Sequence, residues 1–230
     1  MKLHQFFAEI VIFLSVFFIY VLPPILVSAS DFTGFAAWTF PINELVFAIC
    51  SFFLLLYLDK KLEKNSFFSS SVGNKKLSFF INSGKTLITF GFLCCFSAFM
   101  EFIAYAAHFS NNSTVIVPSG LFENTCFFLK FLLAVFYEEI IFRIYLPEES
   151  KRCLIIKKIK NKKIACVITE FTIALLFAFA HRYLGWPAVI NAFAAHLALR
   201  ICYIKTENFF TIFMAHFFYN LMSFFLSAAL

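Results

Sequence analysis

Long apolar runs constrain this chain more than any other feature of its sequence. Windows of about 18 or more apolar residues are long enough to cross a bilayer as helices. Seven such windows are present, at residues 6–28, 40–58, 86–108, 122–146, 164–181, 187–204 and 208–229. Only 14% of the residues are charged, whereas soluble domains carry about a quarter. The sequence therefore predicts an all-α, polytopic bundle of about seven transmembrane helices.

The basic residues are concentrated in two of the predicted loops. The connections at 29–41 and 109–120 contain no lysine or arginine. Under the positive-inside rule, the basic loops and the N-terminus are expected in the cytoplasm. Attraction to anionic lipid accounts for these charges, which argues against a nucleic-acid partner. The basic loop residues are Lys60, Lys61, Lys64, Lys75, Lys76, Lys85, Lys151, Arg152, Lys157, Lys158, Lys160, Lys162 and Lys163.

The cysteines and the overall composition indicate the compartment in which the protein resides. Seven cysteines are scattered along the chain with no CxxC pair and no zinc-like spacing, which predicts reduced, hydrophobe-like thiols. The abundance of Phe, Ile, Lys and Asn is typical of a low-GC genome. We therefore expect an integral protein of a bacterial plasma membrane, with membrane lipids around it.

The fourth predicted span contains charges where only apolar residues are expected. It includes the stretch YEEIIFR at 137–143, and an ionised group at the bilayer centre costs several kcal/mol. Glu139 and Arg143 are four residues apart, so they are predicted to pair on one helical face. Glu138 is rotated by about 100° in an α-helix. Its carboxylate is therefore the group that requires a functional explanation.

Two later spans supply polar groups at helical spacing. FAFAH places Phe177 and His181 on one face, and HFFYN places His216 and Asn220 on one face. Each pattern alone is weak, because a single intramembrane histidine often serves as an interhelical hydrogen bonder. At 1.5 Å per residue, the four polar groups including Glu138 lie about 16 to 27 Å from the nearest cytoplasmic cation. Helix tilt accommodates this spread, so we expect the four side chains to meet.

Three other polar residues lie in apolar runs. By the same count, His196 is about 6 Å from Arg200 and Glu170 is about 10 Å from Lys163, which predicts interfacial or structural roles. Glu101 lies about 24 Å from Lys85, at a depth similar to that of the four groups. It is expected either to face them or to form a hydrogen bond inside the bundle.

Three motifs on three spans carry a family resemblance. EEIIFR at 138–143, FAFAH at 177–181 and HFFYN at 216–220 correspond to EExxxR, FxxxH and HxxxN. In this order they resemble the CPBP family, the CAAX-protease, bacteriocin-processing or Abi intramembrane endopeptidases. The resemblance covers about residues 125–225, so we predict N-terminal spans over 1–120 and a catalytic core over 121–230.

The resemblance implies a glutamic intramembrane protease acting on membrane-associated or CAAX-like substrates. Glu138 would be the general base that activates water, helped by His181. His216 and Asn220 would hold the oxyanion, and such donors are worth about 3 to 4 kcal/mol each when water is excluded. A carboxylate shielded from water suits the role of base. The expected partners are peptide or lipid-anchored protein substrates.

The supporting residues and one departure complete the comparison with the family. Glu139 and Arg143 would support the first motif, and Phe177 would pack beneath His181. Members commonly have Gly after the motif's Arg, whereas this chain has Ile144. The change removes no reactive group, although it alters how the helix packs.

A zinc site is the chemical alternative to a metal-free mechanism. One glutamate, two histidines and one asparagine are available, but the HExxH signature is absent and Asn is a poor zinc ligand. The sequence favours glutamate chemistry with no cofactor and no metal.

Two other functions remain open. A protein of the same fold without catalysis would serve in bacteriocin immunity or membrane interaction, in keeping with the uninformative first three spans. A transporter or proton relay would use intramembrane Glu and His to carry ions. The absence of an obvious inverted repeat or paired broken helices argues against transport.

Overall fold

The computed structural model describes residues 3–27, 40–62, 75–107, 118–153 and 161–229. These residues are helical almost throughout, and they contain no strand. The all-α prediction is therefore confirmed. The helices are α1 (Leu3–Val16), α2 (Leu22–Leu26), α3 (Ile42–Leu62), α4 (Lys75–Ala106), α5 (Gly120–Glu138), α6 (Leu146–Cys153), α7 (Lys162–Phe179), α8 (Trp186–Thr206) and α9 (Phe209–Ala229). Phe17–Val21 joins α1 to α2 as a π-helix, Glu139–Tyr145 joins α5 to α6 as a second π-helix, and Arg182–Leu184 forms a 3-10 turn before α8.

Five helical stretches of the described chain are long and apolar enough to cross a membrane. They are Phe7–Leu26, Ile42–Lys61, Ile81–Ala106, Trp186–Thr206 and Phe209–Leu226. Large apolar side chains project outward from them, such as Phe53, Ile88 and Phe102, as expected of helices in contact with lipid. The predicted fourth and fifth spans also form helices, as α5 and α7. The total of seven spans and the cytoplasmic N-terminus stay predictions.

The chain divides into two compact units. The first unit comprises Met1–Phe32 and Ile141–His196, and the second comprises Thr33–Ile140 and Leu197–Leu230. Each unit thus combines an N-terminal and a C-terminal part of the sequence. The predicted division at residue 120 concerns the extent of the catalytic core, and it stays a prediction.

In the second unit, α9 packs against both α4 and α5, while α3 packs against α5. The ring of Phe136 on α5 meets the rings of Phe209 and Phe213 edge-on, with centroids 5.4 and 6.2 Å away. On α4, Nζ of Lys85 donates to the carbonyl oxygen of Lys205 at 3.2 Å. A cation is favourable there because the last carbonyls of α8 lack helical partners. These contacts fix the register of α5 and α9, the two helices that carry the polar groups of this unit.

In the first unit, α6 packs against α7, and an ion pair joins the two helices. Nζ of Lys151 lies 2.6 Å from Oε1 of Glu170, and both side chains are largely buried. The predicted structural role of Glu170 agrees with this contact. The pair holds α6 beside the helix that carries Phe177 and His181.

The π-helix at Glu139–Tyr145 differs from the single α-helix predicted for 122–146. All seven of its side chains are buried, including Ile144, which is fully inaccessible. A π-helix forms i→i+5 hydrogen bonds and is rare outside short segments, many of them at functional sites. Pro147 follows this segment by two residues; it has no backbone N–H, and its ring disfavours an ordinary α-helical turn around the carbonyl of Arg143, four residues earlier. The first π-helix also ends two residues before a proline. Proline is thus a local reason for the wider turn.

Candidate active site

In the second unit, one histidine ring lies between two adjacent glutamates. Nδ1 of His216 on α9 lies 2.7 Å from Oε1 of Glu139, and Nε2 of the same ring lies 4.0 Å from Oε2 of Glu138. Glu139 is fully buried and His216 is 5% exposed. Glu138 retains 21% exposure of its side chain. The arrangement leaves Glu138 as the more accessible of the two carboxylates, as a base that must reach water requires.

Asn220 follows His216 by one helical turn on α9. The i, i+4 spacing places both residues on one face, as predicted from HFFYN. Asn220 is half-buried, so its amide has access to a bound molecule. The structure therefore brings Glu138, Glu139 and His216 together and places Asn220 one turn farther along the same helix.

In the first unit, the ring of Phe177 is the centre of a buried cluster. The guanidinium carbon of Arg143 lies 4.0 Å from its centroid, a cation–π contact. The rings of His181 and His196 lie 4.7 and 5.5 Å from it. Arg143 and His196 are fully inaccessible. The expected packing of Phe177 against His181 is observed, and Phe177 also supports two further charged or titratable side chains.

The ring of His181 is anchored by the backbone of its own helix. Its Nδ1 lies 2.9 Å from the carbonyl oxygen of Phe177. A carbonyl oxygen only accepts hydrogen bonds, so Nδ1 must carry the hydrogen. In a neutral ring, Nε2 then keeps its lone pair. His181 is thus set up to accept a proton or a hydrogen bond at Nε2.

His196 was predicted to be interfacial or structural, and its full burial against Phe177 agrees with a structural role. Arg200 is also buried, with its guanidinium carbon 5.6 Å from the ring of Tyr203. Neither residue belongs to a recognisable motif, so only the packing identifies them.

The structure differs from the sequence-based expectations for Glu101 and Glu139. Glu101 is exposed on α4, so the predicted hydrogen bond in a bundle interior is wrong for the chain as described. The contact between Glu139 and His216 was missed, because Glu139 was assigned to Arg143. The two contacting residues are 77 positions apart, and no local pattern announces such a pair.

The sequence also predicted a mechanism without metal, and reduced cysteines. Among the described residues, no group of three or more His, Cys, Asp or Glu side chains is arranged to hold a metal ion. A mechanism without metal nevertheless stays a prediction. The six cysteines whose side chains the structure describes are all free thiols, as expected.

The apolar helices and the polar groups on them define the class of protein. The chain is an integral, multi-pass membrane protein. Residues 120–222 match the family described as Rce1-like, Type II CAAX prenyl endopeptidase Rce1-like. The match confirms the resemblance predicted from the three motifs, all of which it contains, and supports membership of the CPBP/CAAX-protease family over this segment. No curated protein and no solved structure matches the chain.

Proposed function

We propose that this protein is an intramembrane endopeptidase in which Glu138 is the general base. The observation that carries the proposal is the contact of one His216 ring with both glutamates of the first motif, at 2.7 Å and 4.0 Å. It joins the first and third motifs in space. If the two motifs matched by chance alone, there would be no reason for their residues to be in contact.

The residues supply the parts that amide hydrolysis needs. The carboxylate of Glu138 takes a proton from water as the water oxygen attacks the peptide carbonyl carbon. The tetrahedral oxyanion accepts hydrogen bonds from Asn220 and His216. The nitrogen of the broken C–N bond then takes the proton from Glu138 and leaves as an amine. The family resemblance assigns His181 the role of helping Glu138 to activate the water.

The substrates are proposed to be membrane-associated peptides or lipid-anchored proteins, including CAAX-like sequences. The Rce1-like match supports this class, because the family description refers to prenyl endopeptidases. A bacterial plasma membrane is the proposed location. The substrates need not be prenylated, because other membrane-bound peptides would also be held near a site in the membrane.

The test is cleavage of a panel of fluorogenic peptides by purified protein in detergent, comparing the wild type with Glu138→Ala. We expect the variant to lose about 10²- to 10⁴-fold in kcat and to keep the unfolding temperature of the wild type. Glu101→Ala is the matched control, because it removes a carboxylate from an exposed position on α4. It should cleave like the wild type.

The same assay with a chelator tests the mechanism without metal. Unchanged cleavage is expected, and loss that zinc restores would instead indicate metalloprotease chemistry. Wild-type rates in Glu138→Ala would remove Glu138 from the mechanism. A wild type that cleaves no peptide but retains immunity activity would favour the non-catalytic alternative.

A further inference from the structure

Glu139 has a contact that its role as a supporting residue does not explain. Its carboxylate is fully buried, and Oε1 lies 2.7 Å from Nδ1 of His216, which is itself 5% exposed. The two residues lie on different helices of one unit. A short contact between two buried titratable side chains is demanding, because each charge must be compensated.

The two ring nitrogens of His216 face different glutamates: Nδ1 faces Glu139 and Nε2 faces Glu138. An ionised carboxylate only accepts hydrogen bonds, so Nδ1 of His216 would carry the hydrogen and donate it to Glu139. The hydrogen bond made by one ring nitrogen sets the tautomer and orientation of the other. A flipped ring would lose the contact with the buried carboxylate, so Nε2 stays on the side of Glu138.

We propose that Glu139 is a positioning residue that holds a hydrogen on Nδ1 of His216 and fixes Nε2 toward the reacting groups. This inference rests on the proposed function, in which His216 donates to the oxyanion. A ring that donates at Nδ1 to Glu139 and at Nε2 to the oxyanion carries a hydrogen on both nitrogens.

Kinetics of Glu139→Gln test the inference. The glutamine keeps the size of the side chain and removes its charge, and its amide can either donate or accept. We expect kcat to fall about 10- to 100-fold, as for other groups that orient a functional histidine, while KM changes less than about twofold. Glu101→Gln, the same change at an exposed position, should leave kcat unaltered.

A double-mutant comparison separates positioning from a general structural effect. If Glu139 acts through His216, Glu139→Gln should reduce kcat no further in a His216→Ala background. An additional 10-fold loss in that background would overturn the inference, because a structural defect adds to the loss of His216. The unfolding temperature of each variant shows whether the fold is retained.

A spectroscopic measurement stands independently of proteolysis. In protein labelled with ¹⁵N-histidine, the His216 ring signals are those missing from His216→Asn. We expect the signal of Nδ1 to be that of a nitrogen carrying a hydrogen in the wild type, and the His216 ring signals to change in Glu139→Gln. Identical His216 signals in the two proteins would overturn the inference even if cleavage is observed. Conversely, the expected change in a protein that cleaves nothing would sustain the pairing and remove the proposed function.

Discussion

His181 and His216, the histidines of the second and third motifs, are held at the same ring nitrogen by different partners. In the first unit, Nδ1 of His181 donates to the neutral backbone carbonyl of Phe177. In the second unit, Nδ1 of His216 faces the carboxylate of Glu139. In both cases the acceptor indicates a hydrogen on Nδ1. The two contacts differ in strength, because an ionised carboxylate makes a stronger hydrogen bond than a neutral carbonyl.

The two rings also differ in what surrounds them. His181 packs against a cluster built on the Phe177 ring, together with Arg143 and His196. His216 is instead held by a 2.7 Å contact with the buried carboxylate of Glu139. We therefore expect damage to the Phe177 cluster to reduce stability, and damage to the polar groups around His216 to reduce the rate of reaction.

The largest expected effect is on stability, from Phe177→Ala. Truncating a buried phenylalanine costs about 3 to 5 kcal/mol in the free energy of unfolding. The carbonyl that anchors His181 belongs to the backbone, so the substitution keeps that acceptor. Denaturant unfolding in detergent should show the loss. Phe218→Ala, at a half-exposed ring on α9, is the control and should change the free energy by less than about 0.5 kcal/mol. Equal losses in both variants would end the structural role assigned to the cluster.

Asn220→Ala should show the opposite behaviour. Removing one oxyanion donor lowers kcat by about 10²- to 10³-fold, or about 2.7 to 4 kcal/mol. The half-buried position on α9 predicts little change in unfolding. Asn124→Ala, at an exposed residue of α5, is the control for kcat. A rate unchanged in Asn220→Ala would leave His216 as the proposed oxyanion donor on α9.

Arg143→Lys examines the cation in the Phe177 cluster. A guanidinium stacks on an aromatic face and a lysine ammonium does so less well, so the exchange is not conservative. The loss expected in the free energy of unfolding is about 2 kcal/mol for a desolvated cation–π contact. Arg182→Lys, in the exposed 3-10 turn, should have almost no effect. If both substitutions are silent, the charge of residue 143 suffices and its planar shape is unimportant.

The smallest effect is expected from the ion pair between α6 and α7. Lys151 and Glu170 each keep about a fifth of their side-chain exposure, and a partly exposed pair is worth up to about 1 kcal/mol. A double-mutant cycle with Lys151→Gln and Glu170→Gln should give a coupling energy below that value. Added salt should weaken the coupling further. A coupling of several kcal/mol would show that this pair, and not the Phe177 cluster, stabilises the first unit.

Much of the fold was predictable because apolar periodicity and length dominate a membrane protein. The predicted spans are helical where the structure describes them, although π-helices interrupt the first and the fourth. His216 and Asn220 share a face because i, i+4 spacing is a property of one helix. Contacts between distant segments were not predictable. The pairing of Glu139 with His216 and the burial of His196 depend on how separate helices pack, which one sequence does not encode in any local pattern. The π-helix at Glu139–Tyr145 was also missed, although Pro147 is a local signal that the α-helical hydrogen bonds are interrupted there.

The π-helix at Glu139–Tyr145 makes the directions of the side chains in the first motif depend on the number of residues in this segment. Deleting one residue between Glu139 and Tyr145 would turn the residues that follow it in this segment by about 100° relative to Glu138 and Glu139. Side chains on either side of the deletion would then face different directions. The length of this segment is therefore expected to matter as much as its chemistry.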